Sequence, residues 1–108
     1  MTAKNIDDFS AFVALSGTAI TPNLNSGRNL TFTPTANSTI NNPPNARSGQ
    51  TGDIVITSGA TAHTIGWGTA WKFAGGNYPT LSPDSITVVS YKVVNANTII
   101  CAWGGDIK

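Results

Sequence analysis

Side chains able to perform acid, base or nucleophilic chemistry are few in this chain of 108 residues. His63 is the only histidine, and the carboxylates are Asp7, Asp8, Asp53, Asp84 and Asp106. A hydrolytic triad needs a nucleophile, a base and an orienting carboxylate in contact, and His63 with one serine and one aspartate meets that count. Because the Gly-x-Ser-x-Gly elbow that accompanies such a nucleophile is absent, we interpret His63 as a plain surface or turn residue.

The sequence also lacks the residue patterns that are typical of metal and cofactor sites. His63, the aspartates and Cys101, the only cysteine, are widely spaced and lack the paired ligands of zinc or calcium loops. The glycine-rich stretches do not stand between a strand and a helix, so they predict no phosphate cradle. Cys101 stands among apolar residues, which indicates a buried, unreactive thiol. We therefore expect no cofactor, no metal and no enzymatic activity.

The charge composition argues against two further classes of partner. Charged residues make up 10% of the chain, against about 25% in typical globular proteins, and the net charge is +1. The Lys and Arg residues are scattered, so no basic stripe predicts nucleic-acid binding. No apolar run approaches the roughly 18 residues of a membrane span, and residues 1–8 lack the layout of a signal peptide. We expect neither a nucleic-acid nor a membrane partner.

The elements that must position these residues are short strands separated by tight turns. Thr, Asn, Ser and Gly supply most of the polarity, and these residue types favour half-buried strands and the turns between them. Leu30 and Phe32 alternate with Thr31 and Thr33, which is typical of a strand with one polar side. Strands are predicted over residues 12–20, 28–34, 38–41, 53–58, 64–67, 71–73, 86–94 and 97–103, with residues 59–62 as a hairpin connection.

The spacing of these strands indicates one all-β domain. No segment shows the apolar stripe of a helix, and turn signals recur about every 8 to 12 residues. This pattern is typical of an antiparallel β-sandwich or a jelly roll. We predict such a domain over residues 12–108, preceded by a short N-terminal arm, residues 1–11. Phe9 and Phe12 are the candidate docking points of that arm, which would serve as a tether.

The strongest hairpin signal lies at residues 86–103, where two apolar strands flank a break at Asn95 and Ala96. The first strand is apolar on both sides, with Ile86, Val88 and Val94 on one and Val89, Tyr91 and Val93 on the other. A strand of this kind is either interior to a sandwich or covered by another subunit.

Four aromatic side chains are candidates for interface or glycan contacts: Trp67, Trp71, Tyr78 and Trp103. Rings of this size pack in a core or between subunits, or they form an exposed platform on which sugar rings stack. The sequence leaves both interpretations open. It also leaves open whether Arg47, in its Pro/Asn/Gly loop, is a buried or interface hydrogen-bond donor or a solvated loop charge.

Several motifs occur in a fixed order between Leu30 and Lys108. They are Leu-Thr-Phe, Asn-Asn-Pro-Pro-Asn-Ala-Arg-Ser-Gly-Gln-Thr-Gly-Asp-Ile-Val-Ile, Trp-Lys-Phe-Ala-Gly-Gly-Asn-Tyr-Pro-Thr-Leu, Ile-Thr-Val-Val-Ser-Tyr and Ile-Ile-Cys-Ala. This part of the chain resembles a small β domain of bacteriophage virion proteins, often found at the C-terminal end of tail, fibre or other virion polypeptides. The resemblance implies an antiparallel β-sandwich, frequently trimeric, in which the loops serve the fold, and it carries over no catalytic residue.

These observations lead to a functional hypothesis and an alternative. The hypothesis is a non-enzymatic phage virion structural protein of the capsid-decorating, cement or head-fibre type. It would form a homotrimer and contact the major capsid protein or another virion protein. The alternative is a module of the tail, as in a tail fibre, that binds a host surface glycan or receptor. Both place the protein in the virion, at the capsid surface or the tail, after synthesis in the host bacterial cytoplasm.

Overall fold

The computed structural model describes residues 12–25 and 28–108, and these form an all-β structure. The expected arm, residues 1–11 with Phe9, lies outside the described residues. A single 3₁₀ turn, Ala74–Gly76, interrupts the strands. The strands are β1 (Phe12–Leu15), β2 (Ala19–Ile20), β3 (Asn29–Phe32), β4 (Ser38–Ile40), β5 (Thr51–Thr57), β6 (Ile65–Trp67), β7 (Trp71–Phe73), β8 (Ile86–Asn95) and β9 (Thr98–Ile107).

Three parallel coils form the first part of the fold. The strands β1, β3 and β5 belong to a large sheet of order β1-β3-β5-β8-β9-β7, whereas β2, β4 and β6 form a small sheet. Each coil runs from the large sheet to the small one, and the coil strands pair in parallel. Leu15 lies beside Phe32 and Phe32 beside Ile56, so apolar residues stack from coil to coil. The result is a β-solenoid-like stack.

The sequence predicts an antiparallel β-sandwich or jelly roll. That prediction is wrong for the coil strands, which pair in parallel. Residues 59–62 do not form the predicted hairpin connection, because β5 and β6 lie in different sheets. Ile54 pairs with Leu30, whereas Ile65 pairs with Ser38. Alternating polarity identifies the two faces of a strand but not the strand beside it. The local pattern was therefore compatible with either pairing.

Buried prolines follow three of the coil strands. Pro22 comes soon after β2, Pro34 after β3 and Pro43 after β4. Because proline has no N–H to donate, it ends the ladder of backbone hydrogen bonds at these points. The chain then crosses to the opposite sheet, which keeps the strands of the coils short.

The predicted hairpin is confirmed at β8 and β9. The strand β8 pairs antiparallel with β5, and β9 pairs antiparallel with β8, so the hairpin extends the large sheet. At its turn, the Asn97 backbone N–H donates to Asn95 Oδ1 at 2.9 Å. The short strand β7 pairs in parallel with β9 and forms the last edge. Parallel coils and an antiparallel hairpin thus share one sheet.

The core lies between the two sheets and is almost wholly apolar. Trp71 is its largest fully buried side chain. The large sheet contributes Leu30, Phe32, Ile54, Ile56, Val89, Val93 and Ile99, and the small sheet contributes Ile20, Ile40 and Ile65. Burial of each such side chain stabilises the fold by about 1.5–3 kcal/mol.

Gly52 of β5 lies against both a neighbouring coil and the hairpin. A Cβ at this position would overlap the Arg28 carbonyl oxygen and would lie 2.7 Å from the Tyr91 hydroxyl oxygen. The absence of a side chain allows the Tyr91 hydroxyl to donate to the Arg28 carbonyl oxygen at 2.6 Å. This bond ties β8 to the residue preceding β3.

Candidate functional site

The aromatic residues form a row that runs from the core to the surface. Successive ring centroids lie 5.9 Å apart for Tyr91 and Trp71, 5.4 Å for Trp71 and Trp67, 5.1 Å for Trp67 and Phe73, and 5.3 Å for Phe73 and Tyr78. Most of these contacts are edge-to-face, a geometry in which the positive edge of one ring meets the negative face of the next. The row stabilises the fold and carries one ring, that of Tyr78, to the surface.

The four candidate aromatics differ in accessibility. Trp71 is 0% exposed and donates its indole N–H to the Asn41 carbonyl oxygen at 3.1 Å, so it offers no face to a sugar or a second subunit. Trp67 and Trp103 are half-buried. The Trp103 indole N–H donates to the Asn77 carbonyl oxygen at 2.9 Å. Tyr78 is 49% exposed and is the accessible member of the set.

Tyr78 borders a groove of about 320 Å³ between two loops. One wall consists of residues 62–65, which lead into β6, and the other of residues 78–81, which follow the 3₁₀ turn. His63 and Thr64 on the first wall face Tyr78 and Thr80 on the second. No local sequence signal predicts this pairing, because the two walls belong to separate loops.

A second surface of interest is the side of the large sheet that is turned away from the core, which we call the outer face. The described residues expose six large hydrophobic side chains, and all except Tyr78 lie on this face. They are Phe12 at 56% exposure, Val94 and Ile100 at 48%, Ile107 at 47% and Ile86 at 36%. Outer positions of a solvated sheet are usually polar. The coil strands follow this rule with Thr31, Asp53 and Thr57, whereas the hairpin strands present mainly apolar side chains.

The register of the strands places these side chains in rows across the outer face. Ile86 is opposite Ile107, and Lys92 is opposite Ile100. Ser90 and Ala102 are also paired, and the small Ala102 leaves a depression of about 320 Å³ between these rows. Ile86 and Val88 were predicted from the sequence as apolar residues on one side of their strand, whereas Ile100 and Ile107 were not. The alternation of side chains in β9 would have indicated these two residues as well.

Charges on the outer face are few and of both signs. Asp53 accepts a hydrogen bond from the Ser90 hydroxyl at 2.7 Å, and it lies on the coil side of the hairpin. Lys92 lies on β8, and Lys72 lies on the edge strand beside Ile100. The negative and positive groups therefore occupy different strands of the same face.

Arg47 has a role within the chain. Its side chain is exposed, and Nη2 donates to Asn25 Oδ1 at 3.0 Å. Asn45, nearby in the same loop, accepts from the Leu24 backbone N–H at 3.1 Å. These bonds connect the loop after β2 with the loop after β4. Arg47 is thus an exposed loop charge that links two successive coils.

The groups considered for catalysis are separated from one another. His63 is half-buried in the loop before β6, and no cluster of three His, Cys, Asp or Glu side chains occurs within residues 12–25 and 28–108. Burial raises the pKa of the Cys101 thiol to about 12. Desolvation by burial, reinforced by the Asp53 charge, raises the pKa of Tyr91 to about 12. A thiol of this kind is protonated at neutral pH and is a poor nucleophile.

Comparison with known proteins finds no matching family model, no matching curated protein and no matching solved structure. The part of the chain that the structure describes contains no helix of the length and apolarity required to cross a membrane. Interpretation of function therefore depends on the outer face, on the groove beside Tyr78 and on the resemblance noted in the sequence.

Proposed function

We propose that this chain is a non-enzymatic structural protein of a phage virion that assembles with itself through the outer face. The observation that carries the proposal is the concentration of exposed apolar side chains on that one face. Phe12, Ile86, Val94, Ile100 and Ile107 together give an apolar surface that water solvates poorly. Exposed apolar patches on a small protein are typical of interaction sites, and the outer face has two: the cluster on β8 and β9, and Phe12 at the opposite edge. A second copy of the chain is the occupant we propose.

The layout of the outer face fits a cyclic assembly. Phe12 lies on β1 and Ile100 on β9, four strand intervals away in the sheet order, or roughly 19 Å. Each subunit therefore has two different apolar contact points, as a head-to-tail ring requires. In our proposal the phenyl ring of Phe12 enters the depression beside Ala102 of the next subunit. A third copy closes the ring as a homotrimer.

The charges of the outer face complement this arrangement. A head-to-tail contact brings the coil side of one subunit, which carries Asp53, towards the hairpin side of the next, which carries Lys92 and Lys72. Opposite charges that meet at the rim contribute to orientation more than to affinity. Self-repulsion is also weak, because the net charge is only +1.

The virion setting rests on the sequence resemblance. In that setting the trimer would decorate or cement the capsid, or form a head fibre, with the major capsid protein or another virion protein as its partner. Many copies on a repeating shell would bind through avidity, so each contact can be weak. The proposal requires no catalytic step.

The test of self-assembly is the mass of the full chain in solution, measured by analytical ultracentrifugation. We expect a trimer for the wild type and monomers for Ile100→Asp, which places a charge in the apolar contact. Ala102→Trp fills the depression without adding charge and should also dissociate the trimer. Thr80→Asp is the matched control, because Thr80 is exposed but lies off the outer face.

Two results would count against the proposed assembly. One is a wild-type monomer at every concentration tested, and the other is a trimer that survives both Ile100→Asp and Ala102→Trp. Thermal unfolding of each variant shows whether a loss of assembly reflects a loss of folding. The virion setting is tested separately, by searching purified particles for the chain and imaging its position.

A further inference from the structure

The two loops that form the groove beside Tyr78 are joined by backbone hydrogen bonds between residues 58–59 and 84–85, outside the groove walls. The Asp84 N–H donates to the Gly59 carbonyl oxygen at 2.8 Å, and the Ser58 N–H donates to the Ser85 carbonyl oxygen at 2.9 Å. These bonds join the loop before β6 to the loop before β8. The groove is therefore a built feature of the fold, in which both loops are fixed relative to each other.

Each wall is also fixed to the rest of the molecule. The Thr64 N–H donates to Asn37 Oδ1 at 3.0 Å, and the Thr64 carbonyl oxygen accepts from the Ser38 N–H at 2.9 Å. On the other wall Pro79 and Leu81 are buried, and they anchor the exposed residues between and before them. A groove of this rigidity is preorganised, which lowers the entropic cost of binding a ligand.

Four polar side chains of the groove lack a hydrogen-bond partner among the described residues. Those of His63, Thr64, Tyr78 and Thr80 make no hydrogen bond to any described residue, and they line the groove from both sides. They offer two hydroxyls from threonine, one phenol and one imidazole, each of which can donate and accept. The groove thus combines an exposed aromatic ring with unpaired groups that suit ligand hydroxyls.

The ring of Tyr78 is held in a defined orientation. It packs against Phe73 at a centroid distance of 5.3 Å and an angle of 59°, while 49% of its surface remains exposed. A sugar ring has an apolar face of C–H groups that stacks on such an aromatic surface, and a rim of hydroxyls that needs hydrogen-bond partners. The groove provides both, and its volume is at the lower end of the roughly 300–1,000 Å³ of small-molecule sites.

We propose that the groove formed by residues 62–65 and 78–81 binds an uncharged saccharide, with one sugar ring stacked on Tyr78. The ligand is uncharged because, among the described residues, none of the side chains that line the groove is an Asp, Lys or Arg. The hydroxyls of the sugar bond to His63, Thr64 and Thr80. Since none of these residues lies on the outer face, the site is independent of self-assembly and remains open in an assembled trimer.

The experiment is a glycan array carrying neutral and acidic oligosaccharides, probed with the full chain and followed by isothermal titration of any glycan that binds. We expect a neutral oligosaccharide to bind with an affinity that does not change with salt, because no ion pair is formed. Tyr78→Ala should weaken it roughly 2- to 10-fold through loss of stacking. Tyr78→Phe keeps the aromatic ring and should reduce the saccharide affinity less than Tyr78→Ala does. Thr80→Arg, which fills the groove, should abolish binding.

Thr35→Arg is the matched control for Thr80→Arg, since Thr35 is exposed but lines neither the groove nor the outer face, and it should leave saccharide affinity unchanged. The proposal is overturned if the array holds no neutral ligand for the chain, or if only acidic glycans bind and are released by salt. It is also overturned if binding persists in both Tyr78→Ala and Thr80→Arg. Should Tyr78→Ala fail to fold, Thr80→Arg decides, because Thr80 is exposed and its backbone need not move. The oligomeric state of each variant is measured in parallel, so failure of the groove and failure of the assembly are distinguishable.

Discussion

The parallel coils, from β1 to β6, and the hairpin, β8 and β9, share one core but are specified differently. The two hairpin strands have ten residues each and are joined by a two-residue turn. The coil strands have between two and seven residues, and their partners are a whole coil away in the chain. The hairpin therefore depends on local pairing, whereas the coils depend on contacts made only in the folded state.

The difference also appears in the polar bonds of the two regions. In the coils, asparagine side chains bridge successive loops, as Asn42 does with Ala70 and Asn45 with Leu24. In the hairpin, backbone pairing dominates, and apolar side chains cover both faces. Asparagine side-chain bonds thus reinforce the parallel backbone pairing of the coils, and apolar burial stabilises the hairpin. Substitutions in each region, and in the residues that connect them, test this difference between coils and hairpin.

Replacement of Trp71 should have the largest effect, because it breaks the link between coil and hairpin. Its ring packs against Tyr91 of the hairpin, and its indole N–H donates to Asn41 next to the coil strand β4. Trp71→Ala removes a completely buried side chain, and we expect a loss of about 3–5 kcal/mol in the free energy of unfolding. Urea denaturation followed by circular dichroism measures it. A loss below about 1 kcal/mol, similar to that of the exposed Tyr78→Ala, would contradict this role.

Gly52→Ala tests the point at which β5, the residue before β3 and Tyr91 of the hairpin meet. It should lower the free energy of unfolding by about 1–3 kcal/mol, since the added Cβ overlaps the Arg28 carbonyl oxygen. Relief of the overlap would displace Tyr91 and lengthen its bond to Arg28. The matched control is Gly59→Ala, where an added Cβ meets nothing within 4 Å. The free energies of unfolding of the two variants are compared under the same conditions. Equal stabilities would show that coil and hairpin tolerate a shift at this point.

Asn42→Ala tests the contribution of asparagine side-chain bonds to the coils. We expect it to lower the free energy of unfolding by about 1 kcal/mol. Asn42 Oδ1 accepts from the Ala70 N–H at 2.8 Å, and Nδ2 donates to the Thr69 hydroxyl at 3.1 Å. Asn41→Ala is the control, since the Asn41 side chain makes one long bond of 3.4 Å, to the Thr21 hydroxyl. Thermal unfolding of both variants decides the matter. If Asn41→Ala lowers the stability as much as Asn42→Ala does, the side-chain bonds of Asn42 do not reinforce the coils.

The smallest effect at neutral pH concerns two buried groups of the hairpin, Cys101 and Tyr91, whose effect on stability appears only in alkali. Burial raises the pKa of Cys101 from 9.0 to about 12 and that of Tyr91 from 10.0 to about 12. Because the unfolded chain loses these protons at lower pH than the folded chain, stability should be fully present below pH 9 and fall as the pH approaches 12. Cys101→Ala should flatten part of that decline. Stability curves of the two proteins that stay parallel up to pH 12 would contradict the assignment.

Several features of the fold were predictable because they depend on near neighbours. The apolar alternation at Leu30 and Phe32, the break at Asn95 and Ala96 and the apolar setting of Cys101 correspond to strand, turn and buried thiol in the structure. The pairing of Ile65 with Ser38 was not predictable, because no local signal distinguishes it from a hairpin with Ile54. For the same reason the groove was missed, since His63 and Tyr78 meet only when two loops are tied together by Asp84 and Gly59.

By itself, the sequence determined that this protein is all-β, that most of its strands are short and that β8 and β9 form a hairpin. Side-chain type and spacing act over a few residues, and these properties need no more than that. Only the tertiary structure decided that the coils run parallel, that Trp71 is enclosed and that Ile100 and Ile107 join Phe12 on one face. Such choices depend on which distant strands gain most by burying apolar surface together, and that free energy exists only once the whole chain has folded.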